Sequence, residues 1–129
     1  MRKNVTSGSP FEPEIGFSRA SRIDNVIAVA GTAPIATDGG VAAPGDVYGQ
    51  TLRCLEISRA AIEEAGGSLH NVIRTRIMLV DIEQWQDAAR AHGEFFRDVR
   101  PACTFVEVSR FINPGWLVET EVDCVVEAS

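Results

Sequence analysis

Basic residues and possible metal ligands are scarce in this chain. Among 129 residues, 12 are lysine or arginine and 18 are aspartate or glutamate, which gives a formal net charge of −6; Lys3 is the only lysine. Binding along a phosphate backbone needs a cation for each phosphate contacted, so we do not expect nucleic acid as the main partner. No Cys-x-x-Cys occurs, and neither of the two histidines lies near a cysteine in the sequence. No metal and no cofactor are therefore predicted.

Long apolar segments are also missing. The longest uncharged apolar stretch, residues 26–34, is far shorter than the roughly 20 residues that cross a membrane. The first residues are basic but lack the apolar core of a signal peptide. Three cysteines are too few, and odd in number, for a secreted disulfide framework. We therefore predict a soluble cytoplasmic protein with reduced thiols, no membrane partner and one domain over residues 1–129.

Two helices are predicted from apolar and small residues that recur every three or four positions. The first covers residues 47–65 and ends at Gly66-Gly67, a pair typical of helix C-termini. The second follows a capping pattern that begins at Asp81, and it continues through residues 85–96 until Pro101 prevents further helix.

Extended segments alternate with these helices. They are predicted at residues 17–23, 25–30, 35–41, 72–80, 103–108 and 117–126. Residues 25–30 are expected to be buried on both faces, and residues 35–41 contain the Asp-Gly-Gly of a hairpin. The order βββ-α-β-α-ββ predicts an α+β fold, with two helices on one face of a mixed sheet.

The two faces of this sheet are predicted to differ. In the strand at 72–80, the side chains expected to face the helices are Ile73, Thr75, Ile77 and Leu79. The side chains expected on the opposite face are Arg74, Arg76, Glu119, Glu121 and Asp123. Two helices cannot cover both faces, so the charged face is either solvated or forms an oligomer interface in which acids and arginines pair. The residue pattern alone leaves both alternatives open.

Segments along nearly the whole chain resemble one known family. The stretch Arg100–Val108 followed by Leu117–Glu121 is similar to the C-terminal signature of the Rid family (YjgF/RidA, also labelled endoribonuclease L-PSP). Supporting segments occur in the family's order at residues 15–18, 30–34, 64–67 and 93–96. The resemblance implies a chorismate-mutase-like fold assembled as a homotrimeric barrel. It also implies small-molecule pockets at the subunit interfaces.

The resemblance further implies hydrolysis of imines or enamines to a carbonyl compound and ammonia. Glu119 matches the pocket glutamate, but Cys103 occupies the position of the arginine that grips the substrate carboxylate in deaminating members. Phe17, Ala30 and Ala89 match a tyrosine, a serine and an asparagine of the family pocket, and Gly31, beside Ala30, is also predicted to bind substrate. These substitutions predict an altered substrate range, or alternatively a non-catalytic trimer that binds or senses a metabolite.

Each candidate side chain has a structural alternative. Glu119 is either a general acid and base or an ion-pair partner of an arginine on the same sheet face. Cys103 is either a pocket thiol, nucleophilic if a cation lowers its pKa, or a small apolar filler. Arg19, on the same strand face as Phe17, is either a substitute anion anchor or an ordinary surface arginine. Trp116 is either a pocket wall that stacks on a ligand or a packing residue.

Overall fold

The computed structural model describes residues 1–127, which form one mixed sheet with helices against it. The strands are β1 (Arg2–Val5), β2 (Ala20–Ile23), β3 (Val26–Thr32), β4 (Val72–Leu79), β5 (Ala102–Glu107) and β6 (Val118–Val125). The helices are α1 (Phe11–Ile15), α2 (Val47–Glu64) and α3 (Trp85–Phe96). Their order in the sheet is β1-β2-β3-β6-β4-β5, and of these pairs only β4 with β5 is parallel.

The two long helices pack on the same face of the sheet, as predicted. The buried side chains of α2 include the expected stripe at Thr51, Leu55, Ser58 and Ile62. The helix ends before Gly66, whose φ of +92° closes the turn without strain. On α3, Nε2 of His92 lies 2.8 Å from Oγ1 of Thr75, and this hydrogen bond links the helix to β4. The α+β class and the layer arrangement are therefore confirmed.

The opposite face of the sheet has no helix on it. In β3, Ile27 and Val29 are 0% and 4% exposed beneath the helices, whereas Val26 is 51% exposed on the other side. The prediction that residues 25–30 are buried on both faces is thus wrong within this chain. Arg76 lies on the open face, 3.8 Å from Glu121 and 3.5 Å from Asp123.

The N-terminal part differs most from the sequence prediction. The first 15 residues contain β1 and the short helix α1, and neither was predicted. The first predicted strand begins only at Ala20, and the hairpin at 35–41 is reduced to one bridge between Ile35 and Val41. In β4, a register shift between Val72 and Arg74 turns Ile73 outward, to 52% exposure, and places Val72 in the core instead.

Among residues 1–127, no helix combines the length and the apolar composition needed to span a bilayer.

Candidate functional site

A cavity of about 1160 Å³ opens between the N-terminal segment, the end of β3, helix α2 and the loop before β6. Five of the eight predicted site residues line it, namely Phe17, Arg19, Gly31, Trp116 and Glu119. They come from three separated parts of the chain, at residues 17–19, 31 and 116–119, so the fold brings them together. Ala30, Ala89 and Cys103 do not line this cavity.

A bulge in β3 shapes the floor of the cavity. The pairing of β3 with β6 shifts register between Val29 and Thr32, so that Thr32 pairs with Thr120. Gly31 lies within this shift, and a Cβ atom there would be 3.3 Å from Oε1 of Glu119. Glycine at position 31 therefore allows the carboxyl group of Glu119 to lie directly against the backbone of β3.

Glu119 is partly buried at the start of β6. Burial raises the pKa of its carboxyl group, the charge of Arg19 lowers it, and the charge of Glu121 adds to the increase; the result is a raised pKa. Within residues 1–127, the ion pairs of Arg74 and Arg76 are with Asp123 and Glu121, and none involves Glu119. Within a single chain, the carboxyl group of Glu119 is therefore available to a ligand, while its pairing with Arg74 or Arg76 inside a trimer stays a prediction.

Arg19 is the buried cation beside this carboxyl group. Its side chain is only 9% exposed, and its Nη1 donates hydrogen bonds to the carbonyl of Gly31 at 2.6 Å and to Oγ1 of Thr32 at 3.0 Å. Its guanidinium carbon lies 5.5 Å from the ring centre of Phe17. Its Nε is buried and has no hydrogen-bond partner among the described residues. Burial lowers the pKa of Arg19, while the charges of Glu12 and Glu119 raise it.

Glu12 supports one wall of the site, and sequence reasoning missed it. It is 3% exposed in α1, and it accepts hydrogen bonds from Oγ1 of Thr6 at 2.8 Å, from the backbone N–H of Ser7 at 3.2 Å and from the Ser7 hydroxyl. Burial raises the pKa of Glu12, but these hydrogen bonds and the charge of Arg19 outweigh it and lower the pKa. Glu12 thereby holds the segment between β1 and Phe17, which forms one wall of the cavity.

Gln50 was also missed, and it fixes the loop that carries Trp116. This α2 side chain is fully buried; its Nε2 donates to the carbonyl of Gly115 at 3.0 Å, and its Oε1 accepts from the N–H of Leu117 at 2.8 Å. The Gln50 side chain thus binds the backbone on both sides of Trp116 and fixes the position of this residue. A lone glutamine in a helix carries no sequence signal for such a role, because its partners are 65 and 67 residues away.

Cys103 lies elsewhere, on the edge strand β5, and it is exposed. It pairs with Thr75, whose buried side chain points toward α3, whereas Glu119 pairs with Met78 and points to the open face. Side chains of paired residues lie on the same face, so Cys103 and Glu119 are on opposite faces of one protomer. An exposed thiol fills no apolar space, so the filler interpretation of Cys103 is wrong for the single chain.

The other two predicted residues are small and partly buried. Ala30 contributes its backbone: its N–H donates to the carbonyl of Arg19, and its carbonyl accepts from Oγ1 of Thr32. Ala89 lies on α3. No cluster of three or more histidine, cysteine or acidic side chains that could hold a metal occurs in the part of the chain that the structure describes.

Comparisons of the chain with known proteins all point to the same family. The family model described as Endoribonuclease L-PSP matches residues 8–126. A RutC family protein of Pyrococcus abyssi is 37% identical over 122 residues, which cover 94% of this chain and 95% of the relative. An uncharacterized protein of Streptomyces coelicolor is 38% identical over 121 residues, covering 94% and 90%.

Solved structures agree with the sequence relatives. A member of the YjgF/YER057c/UK114 family from Mycobacterium tuberculosis superimposes with a TM-score of 0.88 at 40% identity, over 98% of this chain and 100% of that one. The YjgF gene product of E. coli, at 23% identity, shares the fold with a TM-score of 0.80 over 96% and 94% of the two chains. With the family model covering most of its length, the chain belongs to the Rid/YjgF family.

Proposed function

We propose that this protein hydrolyses imines or enamines of small metabolites, and that Glu119 is the general acid and base. The observation that carries the proposal is the position of Glu119 in the cavity. Its carboxyl group lies against Gly31, and burial raises its pKa above the ordinary value of a glutamate. A carboxyl group exchanges protons most effectively when its pKa is near the working pH. Membership of the Rid family supports the same chemistry through the resemblance described above.

The reaction needs one group that moves protons between water and nitrogen. The Glu119 carboxylate removes a proton from a water molecule while the water oxygen bonds to the imine carbon. The electron pair of the C=N π bond moves to nitrogen, which receives that proton from Glu119. Glu119 then transfers the proton of the new hydroxyl group to the same nitrogen, the C–N bond breaks, and ammonia leaves as the C=O bond forms. An enamine enters this sequence after protonation at carbon gives the iminium form.

We propose that the working pocket is completed by a second copy of the chain, in a cytoplasmic homotrimer. Cys103 is on the opposite face of the protomer from Glu119, so the two face one cavity only if they come from different copies. The uncovered face of the sheet supports such an assembly, because it exposes Val26 and Val106 at 51% and 42%.

A non-catalytic metabolite-binding or regulatory trimer is the second candidate. The observation that favours it is the loss of polar side chains at the positions matched to the family pocket: Phe17, Ala30 and Ala89 carry no hydroxyl or amide group, and Cys103 carries no charge. This candidate predicts that a ligand raises the melting temperature and is not consumed.

The test is the decay of 2-iminopropanoate and 2-iminobutanoate, generated in situ, with catalytic amounts of the wild-type protein. Glu119→Gln, Cys103→Ser and Cys103→Arg are measured in parallel. We expect acceleration by the wild type, loss of that acceleration in Glu119→Gln, and full activity in Cys103→Ser. A folded wild type that accelerates neither reaction contradicts hydrolysis of these substrates and favours the binding role. Loss of activity in Cys103→Ser instead assigns the chemistry to the thiol.

A further inference from the structure

Arg19 is the cation placed to receive an anionic ligand in this cavity. Among the residues that line the cavity, only Arg19 and Arg53 carry a permanent positive charge. Arg53 uses its Nε for the carbonyl of Ile35 at 2.6 Å, in an exposed hydrogen bond. Arg19, by contrast, is 9% exposed, and its Nε has no partner among the described residues. A buried charged donor without an acceptor costs free energy, and a carboxylate bound to the same guanidinium would offset part of that cost.

The position of Arg19 relative to Glu119 also fits a particular substrate. Both side chains meet at Gly31: Arg19 Nη1 lies 2.6 Å from its carbonyl oxygen, and Glu119 Oε1 lies 3.3 Å from where a Cβ would stand. In a 2-imino acid, the carboxylate carbon is bonded directly to the carbon that water attacks. An anion anchor and a proton-transfer group for such a molecule must therefore be neighbours, as Arg19 and Glu119 are.

The remaining wall of the cavity indicates which part of a ligand would lie next to the polar end formed by Arg19 and Glu119. Phe11, Ile15 and Ile57 line it, and Phe11 and Ile15 are 56% and 66% exposed, so their apolar surfaces are available to a ligand. A cavity of about 1160 Å³ is larger than a three-carbon acid needs. Apolar lining with a few convergent polar groups is typical of sites for ligands with an extended apolar part.

We infer that Arg19 anchors the carboxylate of a 2-imino acid whose branched or aromatic side chain lies along Phe11, Ile15 and Ile57. This inference rests on the proposed function for its chemistry, but the anchor itself is testable by binding alone. Arg19 is then a substrate-binding residue at a different backbone position from Cys103. The guanidinium supplies the charge that the Cys103 thiol lacks.

The binding experiment uses 4-methyl-2-oxopentanoate, the stable product of the leucine-derived imine, and 4-methyl-2-pentanone, which has a similar carbon skeleton without the carboxylate. Affinities are measured by calorimetry for the wild type, Arg19→Lys and Arg22→Lys. Arg22 is a matched control because it lies three residues further along the chain, in β2 and outside the cavity, and binds the carbonyls of Asp24 and Ala65. We expect Arg19→Lys to weaken binding of the oxo acid about tenfold to a hundredfold, the loss of one charge-assisted hydrogen bond. Binding of the neutral ketone should not change, and Arg22→Lys should stay within about twofold of the wild type.

The outcomes separate this inference from the proposed function. If a folded Arg19→Lys variant binds the oxo acid as tightly as the wild type, the assignment of Arg19 as the carboxylate anchor is wrong. This holds at any measured rate of imine hydrolysis. If binding depends on Arg19 but the wild type hydrolyses no imine, the anchor stands and the proposed hydrolysis fails.

Turnover supplies the second measurement. With imines generated from leucine, phenylalanine and alanine, we expect kcat/KM to be at least about tenfold higher for the first two than for the third, because they bury more apolar surface. Arg19→Lys should raise KM with little change in kcat, since an interaction made equally in the ground and transition states affects only binding. A preference for the alanine-derived imine contradicts the assigned apolar wall. An equal loss of kcat in Arg19→Lys and Arg22→Lys indicates a merely structural role.

Discussion

At the scale of single residues, the ionised carboxyl group of Glu119 is expected to lower the stability of the folded protein. Burial raises its folded-state pKa above the unfolded value of about 4.3. Ionisation therefore destabilises the fold as the pH rises from about 4 through the folded pKa, and the full cost is present above that pKa. A glutamine at this position cannot ionise. We predict that Glu119→Gln abolishes turnover but raises the melting temperature by about 2 °C at pH 8, with no gain at pH 3.5.

Thermal unfolding followed by circular dichroism across this pH range measures the effect. Glu121→Gln is the matched control, because Glu121 is two residues along the same strand and lies 3.8 Å from Arg76. Its replacement should lower or leave unchanged the melting temperature at pH 8. A Glu119→Gln variant that is less stable than the wild type at pH 8 would show that the carboxylate is favourably paired in the folded protein.

Ionisation of Glu12 has the opposite effect and stabilises the folded protein. Its folded pKa is lowered by hydrogen bonds from Ser7 and Thr6 despite burial, so its charge stabilises the fold above about pH 4. That contribution is lost as the pH falls through the folded pKa. We predict that Glu12→Gln lowers the free energy of unfolding by about 2 kcal/mol at pH 7, and that the difference narrows below pH 4. Urea unfolding measures both, with the exposed Glu14→Gln of the same helix as the control. An unchanged stability at pH 7 would contradict the role of Glu12 in holding this segment.

At the scale of elements, local periodicity predicts the parts of the fold that pack locally. Helix α2 has its predicted start, because one stripe of small and apolar residues meets the sheet along its whole length. The alternation of β6 is also reproduced, with Val118, Thr120, Val122 and Cys124 buried. Ile73 departs from its pattern because a register shift inserts one residue into β4, and alternation cannot foresee a bulge.

The elements that the sequence did not reveal depend on distant partners. Strand β1 is polar and largely exposed, and it exists because Arg2 to Val5 pair with β2 residues some 15 to 21 positions away. Helix α1 has five residues, one of them Pro13, and its one buried side chain is the polar Glu12. Such a short helix is not stable by itself. The buried contacts of Glu12 hold it in place, and these contacts form only in the folded chain.

Gln50 allows a prediction about how α2 positions the loop beside the cavity. Replacing it with alanine leaves the N–H of Leu117 and the carbonyl of Gly115 without their buried partner. We predict that Gln50→Ala lowers the free energy of unfolding by roughly 3 kcal/mol, since each unsatisfied group costs about 1–3 kcal/mol. It should also red-shift the fluorescence of the loosened Trp116, measured in a Trp85→Phe background because Trp85 is the other tryptophan. The exposed Glu63→Ala on the same helix is the control. A stable variant with unchanged emission would contradict this role for Gln50.

At the scale of the whole molecule, helices cover one face of the sheet and, in the described part of the chain, leave the other face without a helix. Helices bury one face, while the other combines exposed Val26 and Val106 with Arg76 between two acids. The sequence left two alternatives for this face, because periodicity separates the faces without stating what lies against each. A sheet face that combines exposed apolar side chains with paired charges favours an interface over a solvated face. The proposed trimer covers it and brings Cys103 of one copy toward Glu119 of another.

Reversing one charge on this face tests the assembly. In the trimer, Arg76→Glu would place three acids together in a surface removed from water, where unpaired like charges are strongly unfavourable. We predict that light scattering gives about three times the 14.0 kDa chain mass for the wild type and a single-chain mass for Arg76→Glu at the same concentration. Arg97→Glu, at the exposed end of α3 on the helix side, should remain trimeric. Turnover should be lost with the trimer, because a site that needs two copies cannot form in one. A monomeric wild type that still hydrolyses imines would contradict both the assembly and the shared pocket.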